Sequence, residues 1–260
     1  MLFALTRAPS PRLVDCELSF MDRAPIDYER ARVQHAAYCE ALRAAGAEVR
    51  TLPASPDEPD SCFVEDTAVV LDKLAVITSM GSPVRRSEIE AIAPELARYR
   101  PLARISLPAT IDGGDVLPVG RRLFVGLSRR TSREGFEALA ALARPYGYEV
   151  IPVQVNAGSL HLRTACTSID DETLLLNPAW LDPTPLQGFR LLEVHEDEPW
   201  AANVLRVNET HCVSSSFPRT LERIERVHSN IVQLDISEFQ KAEAGLTCLS
   251  LLFQVTGEPV

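Results

Sequence analysis

Gly245-Leu246-Thr247-Cys248-Leu249-Ser250-Leu251-Leu252-Phe253 sets a cysteine after a glycine, at the start of an apolar strand. Taken alone, such a cysteine reads as a small buried side chain. Its meaning changes because the chain holds four counterparts of the stretch. These are Phe63-Val64-Glu65-Asp66, Asp112-Gly113-Gly114-Asp115, Leu160-His161-Leu162-Arg163 and Ala201-Ala202-Asn203-Val204, each at the expected start of a strand. With Asp66, Asp112, His161, Asn203 and Cys248 as markers, the intervals are 46, 49, 42 and 45 residues.

Two further pieces recur in step with the markers. An apolar strand, followed by small or polar residues with Pro and Arg, occurs at residues 2–12, 75–86, 123–133, 174–183 and 212–219. An alternating strand occurs at residues 49–53, 105–108, 150–155, 191–194 and 231–236. In the first unit a helix lies between them: Asp27 caps it, Ala31, Tyr38, Leu42 and Ala45 share a face, and Gly46 ends it. Five mixed α/β units of strand, strand, helix and strand predict radial repetition about an axis, a propeller-like ring. A doubly wound α/β sheet fits the same alternation, but five matched markers are hard to obtain by chance. In a ring, the markers gather two carboxylates, a histidine, an amide and a thiol in one cleft.

The bulk properties bound the function. The 260 residues suffice for a sizeable core, and 46% hydrophobic with 24% charged residues is ordinary for a soluble globular protein. A net charge of −10 argues against nucleic acid or an anionic membrane as partner. No long apolar run reads as a membrane span, and the N-terminus has no cationic leader, which predicts a cytosolic protein. No Gly-, Ser- or Pro-rich linker divides the chain, so one domain is expected over residues 1–260, with a repeat core to about 253 and a tail over 254–260. Six scattered cysteines without a CxxC pair read as free thiols, neither a disulfide frame nor a zinc site.

Cys248 beside His161 has the makings of a nucleophile with its acid and base, since thiolate chemistry needs a lowered pKa or a base at hand. Histidine between leucines is usually a core residue; here strand register sets His161 opposite Leu160 and Leu162. Asp112-Gly113-Gly114-Asp115 is either only a tight turn or the source of a carboxylate that orients the histidine. Glu65 and Asp66 lie between apolar residues, where burial is costly without a cation. A planar guanidinium suits them, because it accepts forked carboxylate contacts. A metal is the rival reading, with no second acidic cluster of suitable spacing behind it. Arg85-Arg86 and Arg129-Arg130 follow equivalent strands and read as surface ion pairs or as a clamp on a carboxylate.

Several segments together resemble the dimethylarginine dimethylaminohydrolases of the guanidino-group modifying superfamily. They are Pro59-Asp60-Ser61-Cys62-Phe63-Val64-Glu65-Asp66, Gly81 to Arg85-Arg86, Asp112-Gly113-Gly114-Asp115-Val116-Leu117, Val125-Gly126-Leu127-Ser128-Arg129-Arg130-Thr131, Leu160-His161-Leu162, Ala201-Ala202-Asn203 and Leu246-Thr247-Cys248. The resemblance runs from Arg12 to about Phe253. It implies a five-bladed α/β propeller, the pentein fold, and cleavage of a guanidine C–N bond of a free arginine derivative through a thiouronium on sulfur. It implies Cys248 as nucleophile, His161 as acid and base, and Asp112 as the residue orienting that histidine. Glu65 and Asp66 match positions that grip the guanidinium, Asp60 one that meets the α-amino group, and Arg85 and Arg130 ones that meet the α-carboxylate. Main-chain contacts are implied near Leu18, in a lid loop, and near Ala242. No metal or organic cofactor is implied. Cys16-Glu17-Leu18 replaces a more usual Gly-Leu in the lid, and Thr78-Ser79-Met80-Gly81 a Thr-Arg-Pro-Gly; both border the substrate cleft. The substrate alternatives are N-hydroxyarginine, arginine and citrulline, with an amidinotransferase or a non-catalytic binding ring as rival functions. A homodimer is compatible with the sequence.

Overall fold

Each repeat folds into a three-stranded sheet of the same construction, in a computed structural model that describes residues 1–255. A middle strand pairs antiparallel with an inner strand and parallel with an outer one. The middle strands are Leu2–Arg7, Ala75–Ile77, Arg122–Leu127, Thr173–Leu176 and Thr210–Ser214. They read as apolar runs because they are buried on both faces. In four blades a short turn makes the inner pairing antiparallel. Gly120 (φ 58°) and Asn208 (φ 52°) open two-residue turns with the left-handed backbone such hairpins need. Parallel pairing requires a crossover, and helices Tyr28–Ala44, Ile89–Ala97, Arg133–Ala143 and Pro218–Glu225 supply it in four blades.

The first helix is built as its sequence predicts. The Asp27 carboxylate accepts from the Arg30 amide at 3.0 Å, Ala31, Tyr38 and Leu42 are buried, and Gly46 follows it at φ 89°. The fourth crossover, rich in Pro and Gly, holds only the single turn Thr184–Leu186. The outer strand of the second blade is Leu102–Arg104 rather than residues 105–108; Ile105 makes one further bond, to the Ile77 carbonyl, past its end.

Closure comes from the first blade. Its inner strand is Leu251–Gln254, which pairs with Leu2–Arg7 so that Leu2 faces Gln254 and Leu5 faces Leu251. Gln254 thus belongs to the repeat core rather than to a tail; residues 256–260 of the expected tail lie outside the described residues. A cavity of about 260 Å³ is lined from all five inner strands, among others by Val69, Leu117, Thr167, Leu205 and Leu251. The units therefore surround an axis, as a ring requires and a doubly wound sheet does not.

The markers sit one step earlier than expected. Four blades place a single helical turn before the inner strand: Val64–Thr67, Gly113–Asp115, Leu162–Ala165 and Thr247–Leu249. His161 is the residue that precedes its turn, and Cys248 lies inside its own. Neither is in a strand. A turn lets a side chain project along the ring axis, whereas strand residues alternate across a sheet.

Candidate active site

Asp60, Asp66, Arg85, Arg130, His161, Ala242 and Cys248 line one cleft. Asp112 lies fully buried, and its Oδ2 is 3.0 Å from His161 Nε2. The other Asp112 oxygen accepts from the Gly81 amide at 2.7 Å, so the carboxylate is fixed from both sides. His161 Nδ1 is left toward Asp66, whose Oδ1 is 3.7 Å away. Burial alone would lower the His161 pKa, but Asp66, Asp112 and Asp115 outweigh it and raise it to about 9. At neutral pH the ring is an imidazolium.

Gly113 and Gly114 are more than a turn. A Cβ on Gly113 would stand 2.0 Å from the Glu65 carbonyl oxygen, and one on Gly114 would stand 2.7 Å from Asp66 Oδ1 and 2.8 Å from His161 Nδ1. Their missing side chains let three blades meet. The Gly114 amide then donates to Asp66 Oδ1 at 3.1 Å. Asp115 faces the other way, accepting from Ser128, Thr131 and the Leu162 amide, which anchors the turn behind His161.

Burial works against the ionisation of Asp66, yet His161, Arg85 and the Gly114 amide prevail and its pKa is lowered. Glu65 is raised by burial, with Arg163 opposing; the two residues form an ion pair and both line the axial cavity. Glu65 also accepts from the Thr247 hydroxyl at 2.8 Å, one residue before the thiol. Asn203 ties that loop to the fourth blade: its oxygen accepts from the Thr247 amide at 3.0 Å, and its nitrogen donates to Thr247 Oγ1 and to the Arg163 carbonyl. Cys248 is half-buried, and its thiol receives the Gly245 amide at 3.4 Å. Burial first, then the charges of Glu65 and Asp66, push its pKa well above the ordinary thiol value. At rest Cys248 is a thiol.

Arg85 is more committed than a free clamp. Of its five N–H groups, four go to protein acceptors: two to Glu88 at 3.0 and 2.9 Å, one to Asp66 at 2.7 Å and one to the Phe63 carbonyl at 3.1 Å. Arg130 is less occupied; its Nη2 lies 3.2 Å from Glu17 Oε2, and its buried Nη1 has no hydrogen-bond partner. In the lid, Glu17 lines the cleft, while Leu18 packs against the hydrophobic cluster around Tyr38. The Glu17 amide donates to both oxygens of Asp60, at 3.3 and 3.2 Å. Glu243 then clasps the lid, accepting from the amides of Ser19, Phe20 and Met21 at 2.6–2.9 Å. It does so from a left-handed backbone (φ 59°), costly for a side chain other than glycine. So held, the cleft measures about 20 Å³, room for one water and not for an amino acid.

The donor atoms of Asp66, Asp112 and His161 lie within 4.8 Å of one another, a spacing open to a metal ion. Both carboxylates already have partners in Arg85, Gly114 and Gly81, so an ion would compete with them.

Known proteins repeat this architecture. The family model described as N,N dimethylarginine dimethylhydrolase, eukaryotic, matches residues 19–177. An N(G),N(G)-dimethylarginine dimethylaminohydrolase of Pseudomonas aeruginosa is 35% identical over 253 residues, 96% of this chain and 98% of its own. One of Streptomyces coelicolor is 37% identical over 95% of each chain. Among solved structures, a mutant of the Pseudomonas aeruginosa enzyme complexed with citrulline superposes with a TM-score of 0.92 at 32% identity, covering 96% of this chain and 98% of that one. The N-terminal domain of the arginine dihydrolase ArgZ, at 18% identity and a TM-score of 0.80, shares the fold. With more than a third of its residues identical to these relatives over nearly its whole length, the chain belongs to the dimethylarginine dimethylaminohydrolase family.

Proposed function

We propose that the chain hydrolyses a guanidine C–N bond of a free Nω-substituted arginine, converting dimethylarginine to citrulline and dimethylamine, with Cys248 as nucleophile, His161 as acid and base and Asp112 orienting the imidazole. The observation that carries this reading is the meeting, in one closed cleft, of a thiol, an imidazolium and a buried carboxylate, Asp66, with Glu65 next to it in the same helical turn.

The thiol is held protonated partly by the negative charge of Glu65 and Asp66. A bound guanidinium offsets that charge, so the cation that must be attacked also eases loss of the thiol proton to solvent. The Cys248 thiolate adds to the central guanidine carbon. His161, charged at neutral pH, gives its Nδ1 proton to the dimethylamino nitrogen, which leaves as neutral dimethylamine and takes the C–N bonding pair with it. A thiouronium remains on sulfur. The neutral imidazole next takes a proton from water as its oxygen adds to that carbon. Collapse to the ureido carbonyl expels the thiolate while the hydroxyl proton passes to solvent, leaving His161 charged for the next cycle. Each step is an addition or a proton transfer that these side chains can perform.

Asp60 and Arg130 suit the α-ammonium and α-carboxylate, and Arg85 contributes its one uncommitted N–H. Ala242, which lines the cleft, offers the substrate main-chain groups. We take the five blades as one catalytic domain, and place it in a reducing compartment, the cytosol, on the strength of six unpaired cysteines. Among the described residues, no helix is long and apolar enough to cross a membrane.

The test is product analysis with asymmetric dimethylarginine, N-hydroxyarginine, arginine and citrulline, together with mass spectrometry of quenched His161→Gly protein. Citrulline with dimethylamine, and an adduct on the peptide carrying Cys248, are expected. Full turnover by Cys248→Ser, or an adduct on another cysteine, would refute the assignment.

A further inference from the structure

Asp60 and Arg130, the two residues suited to the ends of an amino-acid head group, are both already engaged by a single residue of the chain. The Glu17 amide points an N–H at the Asp60 carboxylate, as an α-ammonium would. The Glu17 carboxylate stands 3.2 Å from Arg130 Nη2, as an α-carboxylate would. We propose that Glu17 is a specificity-determining residue that occupies the head-group subsite of the closed cleft, and that a substrate's α-carboxylate must displace it. The inference rests on the function proposed above.

Three observations support displacement rather than a fixed structural pair. The contact is incomplete: Glu17 Oε2 and Arg130 Nη1 are buried without a hydrogen-bond partner, whereas a carboxylate seated across both Nη atoms would use the fork fully. The cation is scarce: of the two arginines lining the cleft, Arg85 has one N–H to spare, so Arg130 is the main donor and Glu17 competes for it. The lid backbone is held by Glu243 on the amides of Ser19, Phe20 and Met21 and by Arg23 on the Cys16 carbonyl at 2.7 Å, contacts that do not use the Glu17 side chain, so once the lid admits a substrate that side chain can turn away without breaking them. Its position also coincides with the departure from Gly-Leu in the lid sequence.

The consequence is a bias in substrate choice. A guanidine with an α-carboxylate must expel Glu17, while a simple alkylguanidine binds with the Glu17–Arg130 pair in place. In Glu17→Gln protein, KM for dimethylarginine should fall about two- to fivefold, the bias exerted by a partly exposed ion pair. KM for an alkylguanidine should not change. Calorimetry with citrulline on Cys248→Ser protein, with and without Glu17→Gln, reads the same effect without turnover, as a comparable drop in Kd. A wild-type protein inactive on every guanidine would sink the proposed function, while the citrulline titration still decides on Glu17. Weaker binding of dimethylarginine or citrulline in the Glu17→Gln protein would mean that Glu17 grips the α-ammonium instead, and would overturn the inference. Equal shifts for both guanidines, or no change in citrulline binding, would overturn it too.

Discussion

Arg85→Met removes the cation shared by Asp66 and Glu88 while keeping most of the side-chain volume. All three side chains are at least 94% buried, and the pairs are close: 2.7 Å to Asp66 and 2.9 Å to Glu88. Burial already holds Glu88 at about pH 7 with the guanidinium opposing it; without Arg85 it should take up a proton. Breaking a buried pair from one side costs about 3–5 kcal/mol, here as the loss of both ion pairs and the uptake of a proton by Glu88. Urea unfolding should register that loss, and Glu88→Leu added to Arg85→Met should recover part of it. Activity should fall for dimethylarginine and for an alkylguanidine alike, since Asp66 loses the contact that orients it. Arg130→Met should behave differently, with little change in stability and a loss confined to substrates carrying an α-carboxylate. An Arg85→Met protein of wild-type stability that fails only on amino acids would refute this reasoning and make Arg85 a simple carboxylate clamp.

Three other outcomes follow from the same geometry. The His161 pKa is raised from its ordinary 6.5 to about 9, so its contribution to stability is complete below pH 6.5 and is lost as pH rises through 9; kcat for amine release should decline over the upper part of that window, and a chemical-denaturation and rate series between pH 6 and 10 reads both. Gly114→Ala should cost turnover at least tenfold, because its Cβ would displace Asp66 or His161 by enough to disturb near-attack geometry; crystallography of the variant should show one of the two moved. Asn203→Ala leaves the Thr247 amide and the Arg163 carbonyl without partners, at about 1–3 kcal/mol in unfolding. Its kcat should drop more than its KM rises, as the loop carrying Cys248 loosens.

The ring was legible because equivalent positions in five blades do equivalent work, so Asp66, Asp112, His161, Asn203 and Cys248 recur at near-constant spacing. The single turns that carry them were not, since three or four residues are too few to show helical periodicity. Apolar Ile105 and Pro108 drew the second blade's outer strand three residues late, away from Leu102-Ala103-Arg104, whose pairing is backbone bonding that composition does not mark. The candidate site was legible as residue types with complementary chemistry. Its supports were less so. Glu243 binds backbone amides more than 220 residues away, and such a nest leaves no trace in side-chain identity. Arg85 carried the right charge for a clamp, but its burial against Asp66 and Glu88 of its own blade is set by packing that residue type does not mark.

The pairing of Leu251–Gln254 with Leu2–Arg7 has a consequence for the order of assembly during synthesis. Asp60, Glu65, Asp66, Arg85, Asp112, Arg130 and His161 have all been made by residue 161, but the thiol arrives some 90 residues later, just ahead of the strand that must find the earliest one. That contact spans almost the whole sequence, the kind that forms slowly in a growing chain. A ribosome-bound intermediate therefore carries the acidic cradle without the Cys248 thiol, which joins His161 in the cleft only when the ring locks.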